Sequence, residues 1–470
     1  MAQKSVAPRA RCLNIYRRLL VLAAGFWLAA WPVAARIDHA LTGQQDRGAA
    51  RSEREWESLA LGHPVEREIS SGQSHSYRIT LDAGKYLRVQ VEQRGIDVTV
   101  ALLAPDGKVV AESRSDNGKF GPETVSMIAE KPVDVRLEVR APDWEEPPGR
   151  YDARISDLRM ATEQDRKRVD AERAFAEGER LLREETAESI RQSLAKYEAA
   201  LQLHRSLGDR GDEAASLNKI GQVHDLMSER RKALDAFDQA LGLYQSLGDR
   251  GGEATALNNV CWSQYHIGER QKALACFDRA LPLSRDAGNR LAESLILRNL
   301  GSVYDTQGEK QKALDYFDQA LRSNRVAGPR GGEGVILFNI AVVYNLIDEK
   351  QKALDYYHQA LRIFRAARSL RGEAEAINNI GVVYLSLNEH RKARDYFEQS
   401  LSLKRMIGAR RSEALTLGNL GVVYKSLGEI QKALEHLQQA LLINRDVRDR
   451  VGETVNLISL SSPKIGRSGP

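Results

Sequence analysis

Asparagine recurs at Asn259, Asn299, Asn339, Asn379 and Asn419, 40 residues apart, and Asn218, Asn258 and Asn378 occupy the position just before. An amide carries both donors and an acceptor, so a ladder of them can grip the backbone of an extended peptide. The same ladder can instead bridge adjacent repeats. Asn is a mediocre helix former, so its place mid-helix asks for one use or the other. Around this ladder the pattern breaks at Trp262, Tyr265 and His266, while Arg298 and Phe338 stand where Asn is expected. Trp, Tyr and Arg dominate interface energetics. Trp262, Tyr265, Arg298 and Phe338 therefore form the predicted anchor patch, with local drift in a tolerant repeat as the rival. Catalytic chemistry has less to work with. The remaining histidines are scattered singly, and no nucleophile–base pair is visible, so no enzyme is expected. No Cys or His pair has ligand spacing, so neither metal nor cofactor is expected.

The elements that must position these residues are helices. Lys-Ala-Leu recurs at 232–234, 272–274, 312–314, 352–354 and 432–434, with Lys392-Ala393-Arg394 in the gap. A fixed period in this range marks a stacked array, which presents a long concave surface. Small residues fall at Gly221, Cys261, Gly301, Ala341, Gly381 and Gly421, and again twelve residues later at Ala233 through Ala433. Aromatic residues at Phe237, Phe277, Phe317, Tyr357 and Phe397 fill the next layer. This pattern resembles the tetratricopeptide repeat, in the longer form seen in kinesin light chain, whose likeness lies in Leu257-Asn258-Asn259-Val260 and Ile377-Asn378-Asn379-Ile380. The resemblance implies seven repeats over 162–460, a superhelix, and first helices lining a concave groove. Glu and Asp alternate with Lys and Arg, the formal net charge is +5, and no basic stripe appears, so nucleic acid is not an expected partner.

A β region precedes the helices. Leu87, Val89 and Val91 alternate with polar residues, as do Val133, Val135, Leu137 and Val139, which reads as half-buried antiparallel strands. Turn signals at Asp82-Ala83-Gly84, Pro105-Asp106-Gly107, Asn117-Gly118 and Pro148-Gly149 divide 61–158 into about seven strands of a small sandwich. These residues resemble the bacterial pre-peptidase C-terminal domain through Tyr77-Arg78-Ile79-Thr80-Leu81, Ala83-Gly84-Lys85-Tyr86-Leu87, Leu103-Ala104-Pro105-Asp106-Gly107 and Gly149-Arg150-Tyr151. That resemblance implies an accessory sandwich of exported proteins without catalytic residues. The fold class is thus multidomain: a small all-β sandwich, then an all-α solenoid.

Lys4, Arg9, Arg11, Arg17 and Arg18 precede the uncharged run Leu19 to Ala35, which ends Val33-Ala34-Ala35. This fits an export signal over 1–35, with a polar linker over 36–60. An uncleaved membrane anchor through 19–35 is the rival, although 17 residues with Pro32 inside fall short of the ~20 of a bilayer span. Either way the chain is expected outside the cytoplasm, periplasmic, secreted or anchored. Of three cysteines, Cys261 and Cys276 would remain after cleavage and read as buried small apolar residues, with a bridge between their helices unsupported. Pro463 is expected to stop an eighth unit, leaving 461–470 as a tail. The sequence therefore predicts a non-enzymatic scaffold whose groove binds a peptide or protein, with no small-molecule substrate and with self-association open. The alternative is the recognition remnant of a tetratricopeptide–CHAT protease-type sensor that lacks its catalytic module.

Overall fold

A computed structural model describes residues 56–461 except 114–119, 143–146, 185 and 328–329. The expectations for a signal, an anchor and a disordered tail, and the turn at Asn117-Gly118, lie outside the described residues.

Nine strands are described: β1 (Glu57–Ser58), β2 (Val65–Ile69), β3 (Ser74–Leu81), β4 (Lys85–Arg94), β5 (Thr99–Leu103), β6 (Val109–Ser113), β7 (Phe120–Ile128), β8 (Val133–Arg140) and β9 (Gly149–Met160). They form a five-stranded sheet, β1-β3-β8-β5-β6, and a four-stranded sheet, β2-β9-β4-β7. The period-two pattern does what it predicts: Leu87, Val89, Val91, Leu137 and Val139 are all wholly buried between the sheets. Two details differ from expectation. The strands number nine, and β1 joins β3 in parallel, a short pairing with no alternation to announce it. Within the core the Tyr77 and Tyr151 hydroxyls meet at 2.5 Å, and His75 Nδ1 lies 2.8 Å from Tyr151. Those contacts satisfy polar groups that burial would otherwise penalise.

Fifteen helices follow among the described residues: α1 (Glu163–Arg183), α2 (Ala187–Leu207), α3 (Arg210–Leu226), α4 (Arg230–Leu247), α5 (Arg250–His266), α6 (Arg270–Asp286), α7 (Arg290–Gln307), α8 (Lys310–Ala327), α9 (Arg330–Leu346), α10 (Lys350–Ala366), α11 (Leu370–Ser386), α12 (His390–Met406), α13 (Arg410–Ser426), α14 (Ile430–Asp446) and α15 (Arg450–Ser461). They pair in sequence, as a tetratricopeptide array does. The small-residue positions let the paired helices close up. A Cβ built at Gly221, Gly301 or Gly381 would lie 2.5, 2.6 or 2.8 Å from the ring of Phe237, Phe317 or Phe397. From the fourth repeat on, Tyr304–Tyr316, Tyr344–Tyr356 and Tyr384–Tyr396 stack at 5.2 to 5.4 Å. Lys312, Lys352 and Lys392 sit over the first ring of each pair.

Helix ends return through left-handed residues, for which Gly is the unstrained choice. Gly208, Gly248 and Gly408 serve, but the equivalent Arg448 adopts φ +55° with a Cβ in place. Arg448→Gly is expected to stabilise the array by about 0.5–1 kcal/mol, net of the extra chain entropy. Urea unfolding would register this, and a loss of stability would contradict it.

The cysteines correct the sequence reading. Cys261 on α5 and Cys276 on α6 are joined by a disulfide, with 5.4 Å between their Cα atoms. Cys276 stands where later repeats place Tyr316, Tyr356 and Tyr396. In this repeat a covalent tie replaces the stacked pair, and periodicity could not reveal it because the substitution occurs once.

Candidate functional site

A cavity of about 1440 Å³ opens between the sandwich and the first helices of the early repeats. Its helical wall carries Asn218 from α3, Asn258, Asn259 and Trp262 from α5, and Arg298 and Asn299 from α7. Its other wall is the sandwich, including all of edge strand β6 and Arg140 at the end of β8. The groove is thus roofed on one side by the chain's own β module.

The joint that holds the two walls is built at the start of α1. Thr162 and Asp165 cap the helix reciprocally: Asp165 N–H donates to Thr162 Oγ1 at 3.3 Å, and Thr162 N–H donates to Asp165 Oδ2 at 2.8 Å. Such a capping box fixes where a helix begins. It starts α1 at Glu163. Arg159 of β9 grips the same carboxylate from the sandwich side, at 2.5 and 2.8 Å. Two turns on, Ser126 of β7 donates to Glu172 at 3.2 Å.

Burial raises the Glu172 carboxyl to about 7, against the opposing pull of Arg88 and the Ser126 hydroxyl. A carboxyl raised in the folded state contributes stability that is complete below its unfolded pKa, near 4.5, and is lost as pH rises through 7. The joint is therefore expected to weaken by about 2 kcal/mol between pH 5 and 8. Glu172→Gln should flatten that dependence. Hydrogen exchange of α1 across this range is the measurement, and an unchanged pH profile in the variant would count against the assignment.

The asparagine ladder is less exposed than a peptide clamp needs. Asn259 Nδ2 donates to Asn218 Oδ1 at 2.9 Å, and Asn299 Nδ2 donates to Asn258 Oδ1 at 2.9 Å. These amides bridge neighbouring repeats, and being part of the cavity wall they also border its contents. Further along the array the two roles part. Asn378, Asn379 and Asn419 are wholly buried and Asn339 nearly so. Asn378 accepts from Thr416 at 3.0 Å, and Asn379 donates to the Glu375 carbonyl at 2.9 Å. None of these four lines the cavity.

The anchor patch is also divided. Trp262 and Arg298 border the cavity. Tyr265 lies beneath, stacked on Trp262 at 5.5 Å and hydrogen-bonded to Thr306. His266 meets Trp262 edge-on at 4.4 Å, and burial lowers its pKa to about 3, so it is neutral. Phe338 is wholly buried against Tyr357 and belongs to the core. An aromatic at that position was legible; the direction it faces was not.

One pairing escaped sequence reasoning. His204 Nδ1 lies 3.0 Å from Ser216 Oγ, both buried. Two hundred residues on, Lys404 Nζ donates to Thr416 Oγ1 at 3.1 Å. The same two repeat positions carry a different polar pair, and Ser216 has no exposed surface for a substrate. This is an interhelix lock and not a nucleophile with its base. Among the described residues no group of three or more His, Cys, Asp or Glu side chains could hold a metal ion. None of the described helices is long and apolar enough to cross a membrane.

The tetratricopeptide repeat family matches residues 252–325, 332–406 and 372–446. The helical array is thus one of tetratricopeptide repeats. Among solved structures, BtubC (BKLC) from P. vanneervenii is 20% identical, with 51% of this chain and 96% of that one covered at a TM-score of 0.42. The Rap conjugation gene regulator of plasmid pLS20, in complex with the Phr* peptide, is 18% identical over 62% of this chain and 77% of that one, TM-score 0.49. A putative kinesin light chain from Podosopora anserina, with nearly identical repeats, is 14% identical over 41% and 95%, TM-score 0.35. No curated protein matches the chain.

Proposed function

We propose that this chain is a non-catalytic, extracytoplasmic interaction protein that takes a peptide segment into the cavity between its sandwich and its repeats. The observation that carries this reading is the cavity itself. At about 1440 Å³ it exceeds the ~300–1,000 Å³ of small-molecule pockets, so an extended peptide suits it better than a metabolite. The asparagine and tryptophan side chains of its wall supply the mixed polar and aromatic contact that such recognition uses. Location outside the cytoplasm is supported by the Cys261–Cys276 disulfide, since such bonds persist in oxidising compartments.

Selection from a random peptide display library on the full chain tests the reading. The wild type should enrich a shared motif, and Trp262→Ala should lower retention at least tenfold with helicity unchanged. Equal enrichment by the variant, or none by either protein, would remove the cavity as the binding site.

A further inference from the structure

Four strands terminate the two sheets: β1, β2, β6 and β7. An open edge invites pairing with another chain, and folded proteins blunt theirs by shortness, charge, proline or a bulge. β1 is two residues long. β2 exposes Glu66, Arg67 and Glu68 in succession, and β7 carries Pro122. β6 reads Val109-Val110-Ala111-Glu112-Ser113, with one charge and neither proline nor glycine. Its pairing with β5 shifts register between Leu102 and Leu103. Beyond the shift, Ala111, Glu112 and Ser113 run regularly against Leu102, Ala101 and Val100.

The free side of β6 is not spent on the chain's own packing. Among the described residues its backbone pairs with β5 and with no second strand. All five of its residues border the cavity. Ser113 Oγ donates to Glu123 of β7 at 2.7 Å, which pins the end of the strand in place. Backbone N–H and C=O groups alternate between the two sides of a strand, so β6 keeps a row of donors and acceptors that β5 does not use.

The space fits a strand as well. With strands ~4.8 Å apart, layers ~10 Å apart and a rise of ~3.3 Å, each residue of an added strand takes about 160 Å³. A cavity of about 1440 Å³ therefore has room for roughly nine residues.

We propose that the peptide occupant joins the sandwich as an added strand, its backbone hydrogen-bonded to the free edge of β6. The proposal rests on the peptide reading above and moves the main grip from the helices to the sheet. Backbone pairing supplies affinity, and alternate side chains supply choice. The class of occupant is an extended, proline-free segment with β-branched residues at alternate positions, which pack well beside Val109 and Val110. A helical segment does not answer such a row, because its own N–H groups are bonded internally.

A mixed-sequence, proline-free octapeptide library passed over the full chain is the probe. With retained peptides bound, the amides of residues 109–113 should exchange hydrogen at least tenfold more slowly than in the free protein. Proline at adjacent positions removes one N–H from each side of a strand. One of Ala111→Pro and Glu112→Pro therefore spares the β5 ladder and keeps its melting temperature, and that variant should retain peptides at least tenfold less. Peptides bound with unchanged exchange at 109–113 overturn the proposal and leave the peptide reading intact. So does equal retention by the proline variant that keeps its melting temperature. If both variants unfold, exchange in the wild type decides alone. Retention of no peptide by the wild type ends both readings.

Discussion

Glu375→Ala is expected to destabilise the array by about 3–5 kcal/mol, the cost of leaving one half of a buried ion pair behind. Lys404 is wholly buried, and its ammonium reaches Glu375 at 3.2 Å and Thr416 at 3.1 Å. Thr416 passes the chain on to Asn378 at 3.0 Å. Burial already lowers the Lys404 pKa, with Glu375 holding it up. Without the carboxylate the lysine is forced toward its neutral form, and its folded pKa falls further below the unfolded value. Stability would then be greatest above the unfolded pKa, near 10.5, and would be lost as pH falls. The double variant Glu375→Leu/Lys404→Met should return close to the parent, because well-packed apolar residues replace buried pairs at little cost. Urea unfolding of the three proteins is the measurement. A single variant within 1 kcal/mol of wild type would show that the pair contributes little.

Asp165→Ala should cost about 3 kcal/mol and loosen the roof of the cavity. The carboxylate is 1% exposed and serves two elements at once. It completes the cap of α1, and it takes both nitrogens of the Arg159 fork. Loss of charge-assisted bonds and loss of a cap are each worth ~1–3 kcal/mol. The Arg159 guanidinium beside Asp165 holds its carboxyl far below the usual range. That stability is present above the unfolded pKa near 3.8 and is lost only in strong acid. Calorimetry gives the magnitude, and small-angle scattering should show a broader distribution of sandwich positions. An unaltered scattering profile would mean that other contacts fix the joint.

The sequence was most legible where it repeats. Six recurrences of one unit locate the paired helices, because each core position is confirmed by its equivalents 40 residues away. The sandwich strands were legible through Leu87, Val89 and Val91, whose alternation has one solution. What stayed hidden occurs once: the Cys261–Cys276 tie, the Arg159–Asp165 clamp and the Ser126–Glu172 contact. Periodicity speaks only of nearest neighbours, so it could not place the sandwich over the inner wall. It also could not say which asparagines reach that wall, since Asn259 and Asn379 share a position yet one borders the cavity and the other is sealed.

The apolar interior is not uniform along the helices. One continuous cluster runs from Leu297 to Ile443, and the three tyrosine stacks pack against it. The cavity side is served instead by two smaller clusters, around Tyr197 and around Phe277. Stiffness follows contiguous packing, so the later repeats should behave as a firm shaft and the earlier ones as a compliant jaw hinged on it. The two ends of the helical array would thus differ in compliance, and strain applied at the far end would be felt first around the cavity.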